Sequence, residues 1–260
     1  MTIKGFATPD GTKRLMEQVE GTPDVALGHY RKAIDGLYLS SLGMGTYLGN
    51  PDPETSEQVT DAMVASVKCG AINVIDTAIN YRHQLAERSV GEGLQRLLSQ
   101  GINRDQVFVS TKNGYLAPDA EHYGDFRAEF HKQYIESGEV DPDDVVGGMH
   151  CMTPAYLAGE LEKSLTNLGV ETIDLMYLHN PAESQLAAVG RQAFMDRLKA
   201  AFEMYEISRG EGKLRYYGLA TWDCFRMEPE QTEKYLSLEA VMHLAEMVGG
   251  ADHGFRFIQL

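Results

Sequence analysis

From about residue 36 onward, short apolar and β-branched runs alternate with longer segments whose apolar positions recur every three to four residues. The runs are Leu39–Gly45, Ala71–Ile75, Gln106–Ser110, Thr172–Leu178, Leu214–Leu219 and Phe255–Leu260. They read as strands, and most are continuously apolar, as expected for strands covered on both faces. The segments between them read as helices. Glu54–Lys68 sets Val59, Met63 and Val67 on one face, and Ala86–Leu98 groups Val90, Leu94 and Leu97. Pro154–Leu168 opens behind Thr153, a good N-cap, with proline at the first helical position. Phe194–Arg209 and Ser237–Val248 follow the same rule, with Met242 and Met247 read as core positions of the last helix.

Strand and helix in repeated alternation imply parallel strands joined by right-handed crossovers. Two architectures satisfy that, an open doubly wound sheet and a closed barrel. The turn after the first strand carries a G-x-G (Gly43, Gly45) but no third glycine opening a helix, so the dinucleotide fingerprint of the open sheet is weak.

Two segments stand outside the alternation. Residues 1–35 are polar with scattered Gly and Pro and read as an N-terminal extension preceding a domain at 36–260. Residues 115–150 are acidic and aromatic-rich, and too long for an ordinary connection. They follow the C-terminal end of a strand, the face on which a barrel carries its active site. They read as an insertion that serves as a lid or substrate wall, with surface decoration as the alternative. Tyr115 and His150, which flank it, are weighed as substrate contacts and each is disfavoured singly.

Length fits one domain, since α/β barrels run to ~250 residues. A net charge of −15 disfavours nucleic acid as a partner. Cys69, Cys151 and Cys224 form no disulfide framework or zinc spacing, so no metal is expected and reduced cytoplasmic thiols are. The first residues lack the apolar core of a secretory signal, and no apolar run has membrane-spanning length.

Three successive strands end in an ionisable side chain: Asp76, Lys112 and His179, with Tyr81 in the loop after the first of these. One such residue would be an ordinary solvated rim charge; three with a tyrosine form a chemical set. A lysine beside Tyr81 favours the phenolate, a carboxylate beside the lysine keeps it charged, and an imidazole can donate to a substrate oxygen. The set lacks a nucleophile beside a base and suits proton donation to a developing alkoxide. A hydride must then come from a nicotinamide cofactor.

The segments GMGTY, NVIDTAINYRHQLAERSVGEGLQ, VFVSTK, LEKSLTNLGVETIDLMYLHNP and LRYYGLATW, in that order from about residue 39 on, resemble the aldo-keto reductase superfamily. The resemblance implies a TIM-type (β/α) barrel, NADPH as hydride source and reduction of a small-molecule carbonyl to an alcohol. It implies Tyr81 as general acid supported by Asp76, Lys112 and His179. It places Gly45, Thr46 and Asp76 beside the cofactor and Tyr47 and Trp222 at the substrate pocket, Tyr47 being read equally well as a core aromatic.

Two departures qualify the match. Where the family carries G-x-S-N-[FW], this chain has Gly218-Leu219-Ala220-Thr221-Trp222, so side-chain anchoring of the nicotinamide amide by Ala220 and Thr221 should be weaker, while Gln259 matches a family glutamine that holds the same amide. The pattern also stops at the sixth strand, so the barrel is expected to be incomplete, with about six of eight βα units, as a piece of a longer reductase. An open sheet edge could alternatively be covered by a second copy, or the chain could be a natural short variant with impaired activity; a non-catalytic or impaired cofactor-binding or interaction module on the same fold is the rival reading.

Overall fold

In a computed structural model that describes residues 2–21, 25–122 and 124–260, cap chemistry sets where the long helices begin. Asp52 accepts the Thr55 amide at 2.7 Å and starts the helix Pro53–Lys68, and Ser237 accepts the Ala240 amide at 3.2 Å ahead of the helix Leu238–Gly249. In chain order the elements are α1 (Pro9–Val19), β1 (Tyr30–Lys32), β2 (Tyr38–Ser40), β3 (Gly43–Gly45), α2 (Pro53–Lys68), β4 (Val74–Asp76), α3 (Leu85–Ser99) and β5 (Phe108–Asn113). They continue with α4 (Phe126–Phe130), α5 (Pro154–Leu168), β6 (Ile173–His179), α6 (Ala187–Val189), α7 (Arg191–Gly210), β7 (Leu214–Ala220), α8 and β8 (Phe255–Gln259), where α8 is Leu238–Gly249.

The five expected helices are present, and three expectations are corrected. The run Leu39–Gly45 is two strands, not one. Ser40 and Asn73 exchange bonds: Asn73 Oδ1 accepts the Ser40 amide at 2.9 Å and Ser40 Oγ accepts the Asn73 amide at 2.9 Å. Ser40 Oγ also donates to the Leu42 carbonyl at 2.7 Å, which ends β2 and frees β3 to pair elsewhere. The strand expected from Gln106 begins at Phe108, because Gln106 Oε1 accepts the Asn103 amide at 2.8 Å and closes a turn first. Met242 and Met247 are not core: α8 buries Val241, Leu244 and Ala245 and leaves Met247 60 % exposed. The N-terminal segment contains a helix, α1, capped by Thr8 and buried along Thr12, Leu15 and Met16.

The chain divides into two compact units. The first runs to Thr111 and includes Lys163–Leu175. Its strands follow the order β3-β4-β5-β6, with the leading halves of β5 and β6; β3 pairs parallel with β4, and β4 with β5. A small antiparallel pair, β1 with β2, lies apart from that order. Helices α2 and α3 pack together, with Met63 of α2 lying against Gly93 of α3 and Thr60 Oγ1 donating to the Ser89 carbonyl at 3.0 Å. Gly91 of α3 approaches the backbone of Asn167 so closely that a Cβ would sit 2.6 Å from its carbonyl oxygen. Arg104 and Asp174, both buried, pair at 2.6 Å; Asp174 also accepts the Ala7 and Val109 amides, tying the N-terminal segment to the strands.

The second unit spans Lys112–Glu162 and Met176–Leu260. Its strands follow the order β5-β6-β7-β8, from the trailing halves of β5 and β6, and β7 pairs parallel with β8. An aromatic cluster forms its core: Tyr217 stacks on Tyr205 at 5.3 Å and meets Phe202 at 4.9 Å. The parallel order of strands and helices makes this an α/β fold.

Candidate active site

In the first unit, β4 ends on Asp76. Its carboxylate accepts Ser110 Oγ at 2.8 Å from the residue in register on β5. Its carbonyl accepts both the amide and the hydroxyl of Thr46, at 3.1 and 3.2 Å, so the Thr46 hydroxyl is already engaged. Gly45 stands in register with Asp76, and a Cβ there would meet nothing within 4 Å, so open space borders that stretch of backbone. Tyr81, five residues beyond Asp76, is half-buried and meets Tyr47 edge-to-face at 5.0 Å. Tyr47 is 67 % exposed, which rules out its reading as a core aromatic.

Behind Tyr81 the backbone reverses through three left-handed residues in succession, Arg82, His83 and Gln84, with φ of 48°, 54° and 72°. None is glycine, so each is strained. The buried Arg82 guanidinium holds the reversal by donating to Ser89 Oγ at 2.8 Å and to Ser56 Oγ and the Leu85 carbonyl at 3.3 Å. Its burial lowers the guanidinium pKa.

In the second unit, Lys112 lies near the end of β5, 1 % exposed, and His179 ends β6. Burial, with the charges of Lys112 and His150 adding to it, holds the His179 imidazole down to about 3. It is therefore neutral near pH 7 and has one N–H to donate. Tyr115 presents its ring edge-on to His179 at 5.0 Å and to His150 at 5.1 Å, and its hydroxyl accepts Ser184 Oγ at 3.2 Å.

His150 is fully buried, which removes it as a substrate contact. It acts on the backbone instead. Gln185 Nε2 donates to its Nδ1 at 3.0 Å, so its hydrogen is on Nε2, which meets the His179 carbonyl at 2.8 Å. Gln185 Oε1 in turn accepts Arg197 at 2.9 Å, and Arg197 binds Asp144 at 2.6 Å. The two ends of the 115–150 segment are pinned together: Cys151 donates to the Gly114 carbonyl at 2.8 Å and Leu116 to the Met149 carbonyl at 2.9 Å. Gly114 has φ of 114°, and a Cβ there would lie 2.9 Å from His150 Nε2. The sequence disfavours Tyr115 and His150 singly as substrate contacts and does not reveal this backbone role; the aromatic residue at each end of the segment is the available signal.

The end of β7 and the edge of β8 form a third cluster. Ala220 is in register with Gln259, the Thr221 amide donates to the Gln259 carbonyl at 2.8 Å, and the Asn180 amide donates to the Ala220 carbonyl at 2.7 Å. Thr221 Oγ1 is buried with no hydrogen-bond partner among the described residues, and the Gln259 side chain is half-buried. Trp222 is 69 % exposed. Glu183, which no sequence pattern singled out, accepts the amides of Trp222, Asp223 and Cys224 on one oxygen, at 2.9, 3.0 and 3.3 Å.

The structure thus groups Gly45, Thr46 and Asp76, and separately Tyr47 with Tyr81, in the first unit. In the second it groups Lys112 with His179, and Ala220 and Thr221 with Gln259.

Residues 41–248 match the model of the aldo/keto reductase family, and the chain belongs to that family. It is 29 % identical over 194 residues to a D-threo-aldose 1-dehydrogenase of a Pseudomonas species, covering 73 % of this chain and 52 % of the relative. It is 26 % identical over 193 residues to the NADH-specific methylglyoxal reductase of Escherichia coli, covering 72 % of this chain and 50 % of the relative. The chain spans about half the length of the curated relatives it matches. A glycerol dehydrogenase structure from Gluconobacter oxydans superposes with a TM-score of 0.53 at 20 % identity, over 90 % of this chain and 55 % of that one, a likeness of fold. Among the described residues no helix is long and apolar enough to cross a membrane.

Proposed function

We propose that the chain carries the catalytic half of an NADPH-dependent reductase that converts an aldehyde or ketone to an alcohol, on a TIM-type barrel of which it holds about six of eight βα units. One observation carries the reading: in a chain of the aldo/keto reductase family, three successive strands end on or within one residue of Asp76, Lys112 and His179, with Tyr81 close behind the first.

The residues at the end of β7 suit a nicotinamide amide. The buried Thr221 hydroxyl and the Gln259 side chain have hydrogen-bonding capacity to offer, and Ala220 contributes none. The bound cofactor supplies the hydride. Everything else falls to the chain. Tyr81 donates its phenolic proton to the carbonyl oxygen as negative charge develops there. Lys112 and Asp76 support its ionisation, and the neutral His179 donates a hydrogen bond to the same oxygen. Tyr47 and Trp222, both exposed aromatics, flank the substrate, and the 115–150 segment walls it.

The names of the relatives, an aldose dehydrogenase and a methylglyoxal reductase, point to small polar carbonyls. Since one relative is NADH-specific, both cofactors belong in the test. Titration of the chain with NADPH and NADH, followed by the emission of its single tryptophan, should give saturable quenching, tighter for NADPH, and NADPH should be consumed on adding methylglyoxal or an aldose. Absence of quenching by either cofactor contradicts the reading.

A further inference from the structure

We propose that Glu183 is a positioning residue: its carboxylate, seated on the amides of Trp222, Asp223 and Cys224, holds the turn carrying Thr221 and Trp222 in the conformation that receives the nicotinamide end of the cofactor. The inference rests on the reductase reading for its functional half and on hydrogen-bond geometry for its structural half. Three consecutive amides aimed at one oxygen form a small concavity of positive potential, and a carboxylate binds it with charge-assisted bonds.

The turn is also tied by the Thr221 amide to the Gln259 carbonyl at 2.8 Å and by the Leu236 amide to the Cys224 carbonyl at 2.9 Å. It leaves β7 after Ala220, and α8 begins only at Leu238. Within it, the Asp223 carbonyl accepts the amides of Arg226 and Met227, and Arg226 reaches back to the Trp222 carbonyl. The hydrogens of residues 222–224 go to Glu183. The carboxylate comes from a well-anchored place: Glu183 lies four residues past His179, on a turn where Pro181 and Ala182 are buried and the Ser184 amide donates to the Asn180 carbonyl at 3.0 Å. The turn that follows one proposed catalytic residue thereby sets the backbone of the turn proposed to hold the cofactor. Ala220 and Thr221 supply fewer side-chain anchors than the serine and asparagine of the family motif, so backbone order matters more here.

The test compares Glu183→Ala and Glu183→Gln in the full chain. Amide hydrogen exchange over residues 221–226 reports the turn, and NADPH titration by Trp222 emission reports the cofactor. In Glu183→Ala, exchange should quicken and the NADPH dissociation constant rise by about tenfold each, as expected for the loss of about 1.4 kcal/mol of charge-assisted bonding. Glu183→Gln keeps an acceptor oxygen and should stay much closer to the parent. Added acetate should slow exchange again in the alanine variant. Unchanged exchange in Glu183→Ala overturns the proposal, as does faster exchange with unchanged NADPH affinity. A parent that binds no NADPH overturns the reductase reading and the cofactor half of this one; the exchange comparison then still decides whether Glu183 holds the turn.

Discussion

His150 donates its Nε2 hydrogen to the main-chain carbonyl of His179 across 2.8 Å, and this bond closes a relay of side chains that starts at Asp144. One end of the relay lies in the long 115–150 segment and the other at the last residue of β6. Replacing His150 with leucine removes the Nδ1 acceptor of the Gln185 amide and the Nε2 donor to the His179 carbonyl, leaving that amide the main-chain carbonyl of residue 150 at 3.4 Å. We expect a loss of about 1–3 kcal/mol in urea unfolding, the cost of leaving a buried polar group poorly satisfied. A loss below about 0.5 kcal/mol, the range of ordinary surface changes, would show that the relay does not hold the segment.

Acid should weaken the fold through these same histidines. Burial lowers His150 to about 4 and His179 to about 3, and the groups facing them are Tyr115, Gln185 and Lys112. In the unfolded chain a histidine titrates near ~6.5. Between the folded and unfolded values the unfolded state binds more protons, so stability rises with pH. The penalty is absent above about 6.5, grows as pH falls, and levels off below the folded values. From pH 7 to pH 5 each histidine should cost about 2 kcal/mol. Urea unfolding at both pH values should show His150→Gln losing about 2 kcal/mol less than the parent; equal losses would contradict the assignment.

The buried pair of Arg104 and Asp174 should be costly to break from one side. Asp174 satisfies Arg104 and two amides, those of Ala7 and Val109. Asp174→Ala strands a buried guanidinium and should cost about 3–5 kcal/mol in chemical denaturation. A variant as stable as the parent would mean that the cation finds another acceptor.

His83 sits in the left-handed run behind Tyr81 with its side chain exposed. Glycine takes that conformation without steric cost, so His83→Gly should stabilise the protein by about 0.5–1 kcal/mol after the entropy of the freer unfolded chain is counted. Its neighbours Arg82 and Gln84 are buried and would not show the same gain, because their side chains hold bonds. Thermal unfolding of the three glycine variants checks the order.

Much of this is legible in the sequence itself. Apolar runs located the strands of the sheet because strands covered on both sides need little else, and polar residues at the run ends marked Asp76 and His179. What escaped depends on bonds between distant residues. The break at Ser41 follows from the exchange between Ser40 and Asn73, 33 residues apart. Met242 and Met247 were misread because α8 is apolar around most of its girth, so period alone does not select the buried face. Glu183 is invisible to pattern, since its three partners are main-chain amides about forty residues on.

The most direct test of the proposed chemistry is the turnover of Tyr81→Phe with NADPH and a carbonyl substrate that the parent reduces. The substitution removes one hydroxyl and keeps the ring that meets Tyr47. The account predicts that kcat falls by about 10²–10⁴-fold, the contribution typical of a general acid, with the NADPH dissociation constant held within about threefold of the parent, less than 1 kcal/mol. A variant that turns over at the parent rate would remove Tyr81 as the general acid and contradict the proposed chemistry.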